Sequence, residues 1–170
     1  MSDYGYGTVV PSLVDSVRRA AKRKGIPIVV DSRFRMSDFH SVTSITPNIT
    51  ELEASVGFPI GSDRELLHKT GRQVLRRQRL RSLLVTQGRF GMTLFESGKD
   101  PLHIPIYGTD EVADVTGAGD TVIAVFALAL SCGAEPEYAA RLANYAGGIA
   151  VMKRGTATVS RQELREAVES

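Results

Sequence analysis

The sequence predicts an α/β protein built around a mostly parallel sheet. Three observations carry this reading. Short β-branched runs recur, at residues 26–31 (IPIVVD), 44–47 (SITP) and 82–86 (SLLVT). Between them lie longer stretches with apolar residues at helical spacing. Those stretches are punctuated by helix start and stop residues. Strands alternating with helices imply α/β layers, whose ligands sit at the carboxyl ends of the strands.

Each element has a local reason. Pro11 suits a first helical turn, residues 12–24 carry Leu13, Val17 and Ala20 on an inward stripe, and Gly25 ends the helix. Asn48 follows the second strand and opens a helix over 50–56. Residues 63–79 form a longer helix. A fourth strand, 91–97, follows a glycine turn, and 102–107 alternates as a further strand. Three helices close the chain, at 118–132, 136–152 and 161–168. Asp31, Asn48 and Thr86, each at or just past a strand end, are candidates for one shared site.

Composition sets the frame. A chain of 170 residues suits one domain over 1–170. It is 42% apolar and 24% charged, ordinary for a soluble globular protein. No apolar run reaches the roughly 18 residues that span a bilayer. The N-terminus has neither the basic start nor the apolar core of a signal peptide, and a membrane is not an expected partner. Cys132 is the one cysteine, which excludes an intrachain disulfide and makes a reducing cytoplasm the expected compartment. Its place in an apolar run predicts packing. The net charge of +2 does not call for nucleic acid. The run GRQVLRRQRLR, residues 71–81, is either a phosphate patch or the solvated face of a helix with Val74, Leu75 and Leu80 inward; the second is expected, since no aromatic residue interleaves with the arginines. His40, His68 and His103 lack metal-ligand spacing.

The chemistry concentrates at DVTGAGDT, residues 114–121. Gly117, Ala118 and Gly119 precede Asp120, and residues 121–132 carry no charge, predicting a helix buried on all sides. Small residues at a helix start leave unpaired N–H groups and the positive end of the dipole for an anion. A carboxylate beside an anion is repulsive unless it accepts a proton from an attacking hydroxyl while the amides hold the transferring group. The other reading is that Asp120 caps the helix. Pattern alone leaves both open.

DVTGAGDT closely resembles the C-terminal signature of the ribokinase-like carbohydrate kinases of the phosphofructokinase-B type. The resemblance implies a three-layer α/β/α fold, with Asp120 as general base and the amides of Gly117, Ala118 and Gly119 as the anion hole for the γ-phosphoryl group. TPNITELE is similar to the family's Asn-x-x-Glu element, implying that Asn48 and Glu51 organise Mg²⁺ and phosphate. LLVTQGRFG resembles the nucleotide loop at Thr86, Gly88 and Gly91. ANYAGGIAVMKRGT looks like the helix and loop lining the adenine, with Asn144 and Gly155. Asp114 and Thr116 stand where oxygens hold a monovalent cation, such as K⁺, in many members. ATP and Mg²⁺ are the implied cofactors.

Within the family, SDYGYG, TPNITELEASVG and KRGTATVS are most similar to the heptose-phosphate kinase branch of lipopolysaccharide-core synthesis. This implies transfer of the ATP γ-phosphate to the anomeric hydroxyl of D-glycero-D-manno-heptose 7-phosphate, feeding ADP-heptose synthesis. The alternative is a non-catalytic nucleotide-binding fragment or oligomerising remnant.

Several positions keep two readings. Glu51 is also an ordinary first-turn acid, Thr86 and Gly88 also make a turn, and Asn144 either packs by the adenine or bonds a neighbouring loop. Arg33 stands where Asp-Pro-Lys is common in relatives and either meets a phosphate as a fork or is a solvated surface arginine. The resemblance covers only about the C-terminal half of the family's pattern; the glycine-rich sugar signature and lid strands have no counterpart. A sheet cut there exposes a strand edge, so a homo-oligomer or a complementing N-terminal half is the expected partner, beside ATP and a sugar or sugar phosphate.

Overall fold

The computed structural model describes residues 1–108, 116–153, 155 and 157–170. In chain order the elements are β1 (Ser2–Asp3), α1 (Pro11–Lys24), β2 (Val29–Ser32), β3 (Ser44–Ile45), α2 (Ile49–Val56), α3 (Arg64–Arg77), β4 (Ser82–Thr86), β5 (Met92–Glu96), β6 (Leu102–Ile104), α4 (Ala118–Ser131), α5 (Pro136–Val151) and α6 (Arg161–Glu169). Short 3₁₀ turns stand at Met36–Asp38 and Gly88–Phe90. The strand order is β1-β2-β3-β4-β5-β6, with β1/β2, β2/β3 and β3/β4 parallel. The chain divides into two compact units, Met1–Thr86 with Leu94–Pro101, and Gln87–Thr93 with Leu102–Ser170.

The first unit holds β1 to β4 and most of the helical crossovers. Its core joins Val30, Ile45, Leu83 and Val85 of the strands to Leu52 of α2 and Leu67, Val74 and Leu75 of α3. Leu84, between Leu83 and Val85, is equally buried, so β4 is covered on both faces, as an apolar strand in a parallel sheet requires. Gly71 sits mid-helix because a Cβ there would lie 2.4 Å from the Phe95 ring. The basic run is the solvated face of α3, with Val74, Leu75 and Leu80 inward.

Two expectations about this unit change. The strand expected at 26–31 is paired only from Val29, because Ile26 is half exposed and belongs to the connection after Gly25. On α1 the inward stripe runs through Val14, which packs on the core, and Ala21, whereas Leu13 is exposed.

In the second unit α4 packs on α5 through small residues. A Cβ on Gly147 would stand 2.7 Å from Val122 Cγ2, and one on Gly148 would stand 2.3 Å from the Tyr107 carbonyl oxygen. This close approach buries Val122, Ile123, Phe126, Ala129 and Leu130. The helix is not buried on all sides, however. Ala124 is exposed and Leu128 is 66% exposed. Absence of charge identified an apolar helix, but one close partner covers one face. Cys132, expected in the packing, caps the carboxyl end of α4 and is exposed.

Candidate functional site

In the first unit the carboxyl ends of β2, β3 and β4 bring the expected residues together. Asn48 pairs with Thr86 in an isolated parallel bridge, and the Thr86 N–H donates to the Pro47 carbonyl at 2.9 Å. Asn48 is the N-cap of α2. Its Oδ1 accepts from the Glu51 N–H at 2.9 Å, and Glu51 Oε2 accepts from the Asn48 N–H at 2.9 Å. This reciprocal capping box explains the Asn-x-x-Glu spacing without any ligand. It also fixes both side chains at the strand ends, with Glu51 Oε1 and Asn48 Nδ2 outside the box. Partial burial pushes the Glu51 carboxyl above its ordinary range, and the Asp31 charge adds to this; the Asn48 hydrogen bonds and the Arg33 charge oppose it. Asp31 and Arg33 therefore act electrostatically on Glu51. An oxygen-rich set of this kind suits Mg²⁺, which favours oxygen ligands and keeps waters.

Arg33 is exposed, and its guanidinium lies 5.6 Å from the centroid of the Phe34 ring. Beneath it lies a pair that sequence reasoning missed. Arg35 Nε and Nη2 donate to Asp3 Oδ2 and Oδ1 at 3.1 and 3.0 Å. The Ser32 hydroxyl and the Gly5 N–H complete the shell of Asp3 at 3.0 and 3.1 Å. Burial pushes the Asp3 carboxyl up, but these hydrogen bonds and the Arg35 charge outweigh it and hold it below the usual carboxylate range. The only sequence signal was position: Asp3 and Arg35 flank one predicted helix–strand unit.

In the second unit Gly117 is the N-cap of α4 in the left-handed region, with φ 79°, and no side chain caps the helix. Its carbonyl accepts from the Thr121 N–H and hydroxyl, both at 3.0 Å. A Cβ at Gly117 or Gly119 would meet nothing within 4 Å. Among the described residues, then, packing gives no reason for glycine at 119. Asp120 lies in the first turn and is exposed. Thr116 is exposed beside them; Asp114 lies outside the described residues.

The other second-unit positions divide. Gly88 has φ 56° with open space at its Cβ position. Gly91 is required by packing: a Cβ would stand 2.1 Å from the Ile104 carbonyl oxygen. Asn144 is buried and donates from Nδ2 to the Pro105 carbonyl at 2.9 Å, the neighbouring-loop bond. Ile104, Pro105, Tyr107, Arg141, Asn144 and Tyr145 line a cavity of about 220 Å³ beside that bond. Gly155 is exposed with φ 70°. Among the described residues no helix is long and apolar enough to cross a membrane, and no cluster of three His, Cys, Asp or Glu forms a metal site.

The chain is 44% identical over 170 residues to the bifunctional protein HldE of Nitrosococcus oceani, covering 99% of this chain and 35% of that protein. It is 45% identical to the HldE protein of Hahella chejuensis over 172 residues, with 99% and 35% covered. The chain thus spans about a third of the length of the curated relatives it matches. The Arabidopsis thaliana ribokinase solved with ribose and ATP superposes with a TM-score of 0.81 at 27% identity, covering 94% of this chain and 53% of that one. Phosphofructokinase-2 from Escherichia coli, solved with potassium, gives 0.81 at 21% identity over 95% and 52%, a likeness of fold. These likenesses give the chain the ribokinase-like three-layer α/β/α fold. The pattern of the pfkB family carbohydrate kinase matches residues 8–163, and the chain belongs to that family.

Proposed function

We propose that residues 1–170 form the ATP-binding and catalytic portion of a sugar kinase, which transfers the γ-phosphoryl group of ATP to a sugar hydroxyl. The acceptor in this reading is the anomeric hydroxyl of D-glycero-D-manno-heptose 7-phosphate, in agreement with the identity to HldE proteins. The observation that carries the reading is the N-terminus of α4, where no described residue would meet a Cβ at Gly119 and Asp120 stands exposed in the first turn.

Each residue has a role in that reaction. Asp120 takes the proton from the attacking hydroxyl. The amides of Gly117, Ala118 and Gly119 hold the phosphoryl oxygens, with the helix dipole adding positive potential. Asn48 and Glu51 orient Mg²⁺, with Thr86 beside them at the strand end. When bound, Mg²⁺ neutralises phosphate charge in the transition state. Gly88, Gly91, Asn144 and Gly155 shape the nucleotide loops, and Asp114 and Thr116 serve a monovalent cation. Arg33 supplies a fork for phosphate.

A complementing N-terminal segment or a second copy covers the β1 edge. The position of β1 at the end of the strand order supports this, as do exposed Tyr4, Val10 and Leu13 in the same unit. Light scattering at micromolar concentration tests it, and a monodisperse monomer that turns over sugar phosphate unaided speaks against it.

Turnover of the Asp120→Asn variant tests the chemistry. Proton abstraction by Asp120 predicts loss of at least about a hundredfold in kcat with ATP affinity within about twofold of the parent. Unchanged turnover removes Asp120 as base. ATP binding by the parent without any sugar-dependent ADP release indicates the non-catalytic nucleotide-binding module instead.

A further inference from the structure

The first unit carries a basic cavity at the end of the sheet that the kinase reading does not use. Its volume is about 630 Å³, and Arg18, Arg19, Lys22, Ile28, Ser41 and Thr43 stand in its wall, with Ile26 and Asp15. Ile28 precedes β2 and Thr43 precedes β3, so the cavity lies at the amino ends of these strands. The Ser82 N–H donates to the Thr43 carbonyl at this end of β4, and the Thr86 N–H donates to the Pro47 carbonyl at the other. At about 3.3 Å per residue, the two ends stand about 13 Å apart. The cavity is also clear of the β1 edge. Leu13 and Lys22 are two and a half turns apart on α1, so they occupy opposite flanks of the helix. The flank of Lys22 lines the cavity, and that of Leu13 belongs to the surface where a covering segment is expected.

Two observations separate this cavity from an ordinary basic surface. The first is charge placed against local stability. Lys22, Arg23 and Lys24 complement the dipole at the carboxyl end of α1, an effect confined to the last turn. Arg18 and Arg19 lie further back, four and three residues before Lys22, spacings at which like charges repel on a helix. Asp15 is the one acid of α1, and it pairs with Arg18 at 3.3 Å. Arg19 bonds a neutral hydroxyl, that of Ser16, at 3.1 Å. Among the described residues, Lys22 has no ion-pair partner.

The second is a fixed polar rim beside an apolar floor. The Ser41 N–H donates to the carbonyl of buried Gln78 at 2.8 Å, and the Arg81 N–H donates to the Thr43 carbonyl at 3.0 Å. The Thr43 hydroxyl accepts from the Ile28 N–H at 2.8 Å, which leaves its proton to donate. Exposed Arg79 and Arg81 flank the same segment and add to the positive potential. Ile26, 52% exposed, supplies the apolar floor.

Cavities of about 300–1,000 Å³ suit small molecules, with a few placed polar groups setting orientation. A guanidinium and an ammonium with adjacent hydroxyl donors match a phosphate, and an exposed isoleucine matches an apolar body. We infer that this cavity is a binding site for a phosphorylated small molecule, apart from the proposed transfer site, with the phosphate on Arg19 and Lys22 and the apolar part on Ile26. The inference does not rest on the kinase reading.

Amide-resolved NMR on the ¹⁵N-labelled full chain tests it, with phenyl phosphate and inorganic phosphate as probes at constant ionic strength. Phenyl phosphate should shift the amides of Ile28, Ser41 and Thr43 saturably, with an affinity about threefold or more above that of inorganic phosphate. Arg19→Gln and Lys22→Gln should each weaken both probes about fivefold or more. Ile26→Ser should remove the preference for phenyl phosphate and leave inorganic phosphate within about twofold. Lys24→Gln, in the same helical turn but outside the cavity wall, should leave both within about twofold. No saturable shift at these amides up to about 10 mM probe overturns the site. Equal weakening by Lys24→Gln and Lys22→Gln also overturns it, since a diffuse positive field then accounts for the binding. Saturable shifts at the Gly117–Asp120 amides alone overturn it too, and leave the kinase reading intact.

Discussion

Arg35 closes a two-point grip on Asp3, with Nε and Nη2 at 3.1 and 3.0 Å from separate carboxylate oxygens and with the Asp3 side chain 2% exposed. The pair joins the end of β1 to the turn after β2. Asp3→Ala removes four hydrogen bonds and strands their donors. A loss of about 1–3 kcal/mol in urea denaturation is expected, the range for buried hydrogen-bonding groups left unpaired. The pH dependence has a fixed sign. The folded carboxyl titrates below its ordinary value, so the stabilisation is complete above the unfolded value and is lost as pH falls through the folded one. The stability gap between parent and Asp3→Ala should therefore narrow below about pH 4. A gap that holds steady into strong acid contradicts an ionised Asp3.

Two glycines from the same unit separate packing from function. At Gly91 a Cβ would overlap the Ile104 carbonyl oxygen, and φ is 80°. Gly91→Ala should cost at least about 2 kcal/mol, the left-handed penalty plus the clash. At Gly119 the space is open and the backbone is helical. Gly119→Ala should leave the melting temperature unchanged or raise it, since alanine favours a helix by about 1 kcal/mol. Its added methyl should nevertheless cut turnover at least about tenfold by crowding the phosphoryl group. Differential scanning calorimetry and steady-state kinetics on the two variants decide. Unaffected turnover in a stable Gly119→Ala variant places the phosphate elsewhere.

Much of this was legible because it is local. Pro11 and Gly25 marked the ends of α1, and Asn48 marked the start of α2, through capping chemistry confined to a few residues. Gly117 marked the start of α4 in the same way, although pattern alone left open whether Asp120 caps it. Contacts distant in sequence were not legible. Asp3 and Arg35 stand 32 positions apart, and Asn144 meets Pro105 over 39. Periodicity says which face of an element is apolar, not which distant group it meets. The same limit hid the reason for Gly71, which is the Phe95 ring, and led α4 to be read as fully covered. An uncharged helix and a buried helix differ by the neighbours present, and among the described residues none covers Leu128.

Glu51 combines a structural and a chemical role that one substitution separates. Glutamine keeps an oxygen to accept from the Asn48 N–H, so the capping box survives Glu51→Gln. Burial holds the native carboxyl above its ordinary range, so its ionisation weighs against folding at neutral pH, and this cost fades as pH falls through the raised folded value and is gone below the ordinary one. Glu51→Gln should therefore melt at the parent's temperature or higher at pH 7. Its affinity for Mg²⁺-ATP, by titration calorimetry, should drop about tenfold or more once the charge is gone. A variant that binds Mg²⁺-ATP like the parent leaves Glu51 with the helix cap alone.

Glu163 anchors the segment that carries Gly155. Its Oε1 lies 2.6 Å from Lys153 Nζ, and its Oε2 accepts from the Ser160 N–H at 2.8 Å, closing a capping box at the start of α6. Lys153 Nζ also donates to the Thr158 carbonyl at 2.8 Å, so the end of α5 and the start of α6 are tied through one lysine. The Lys153 ammonium and the Ser160 hydrogen bonds bring the Glu163 carboxyl down to about 2. A carboxyl depressed in the folded state stabilises it above the unfolded value of about 4.3, and that contribution disappears as pH falls through the folded one. Glu163→Gln should thus melt below the parent at neutral pH. The difference should persist to about pH 5 and close as pH approaches 2. Melts followed by circular dichroism at several pH values measure it. The pair is partly open to solvent, so raising salt to about 1 M at neutral pH should shrink the same difference. A difference insensitive to both acid and salt would mean that the capping hydrogen bonds, and not the charge of Glu163, hold this segment.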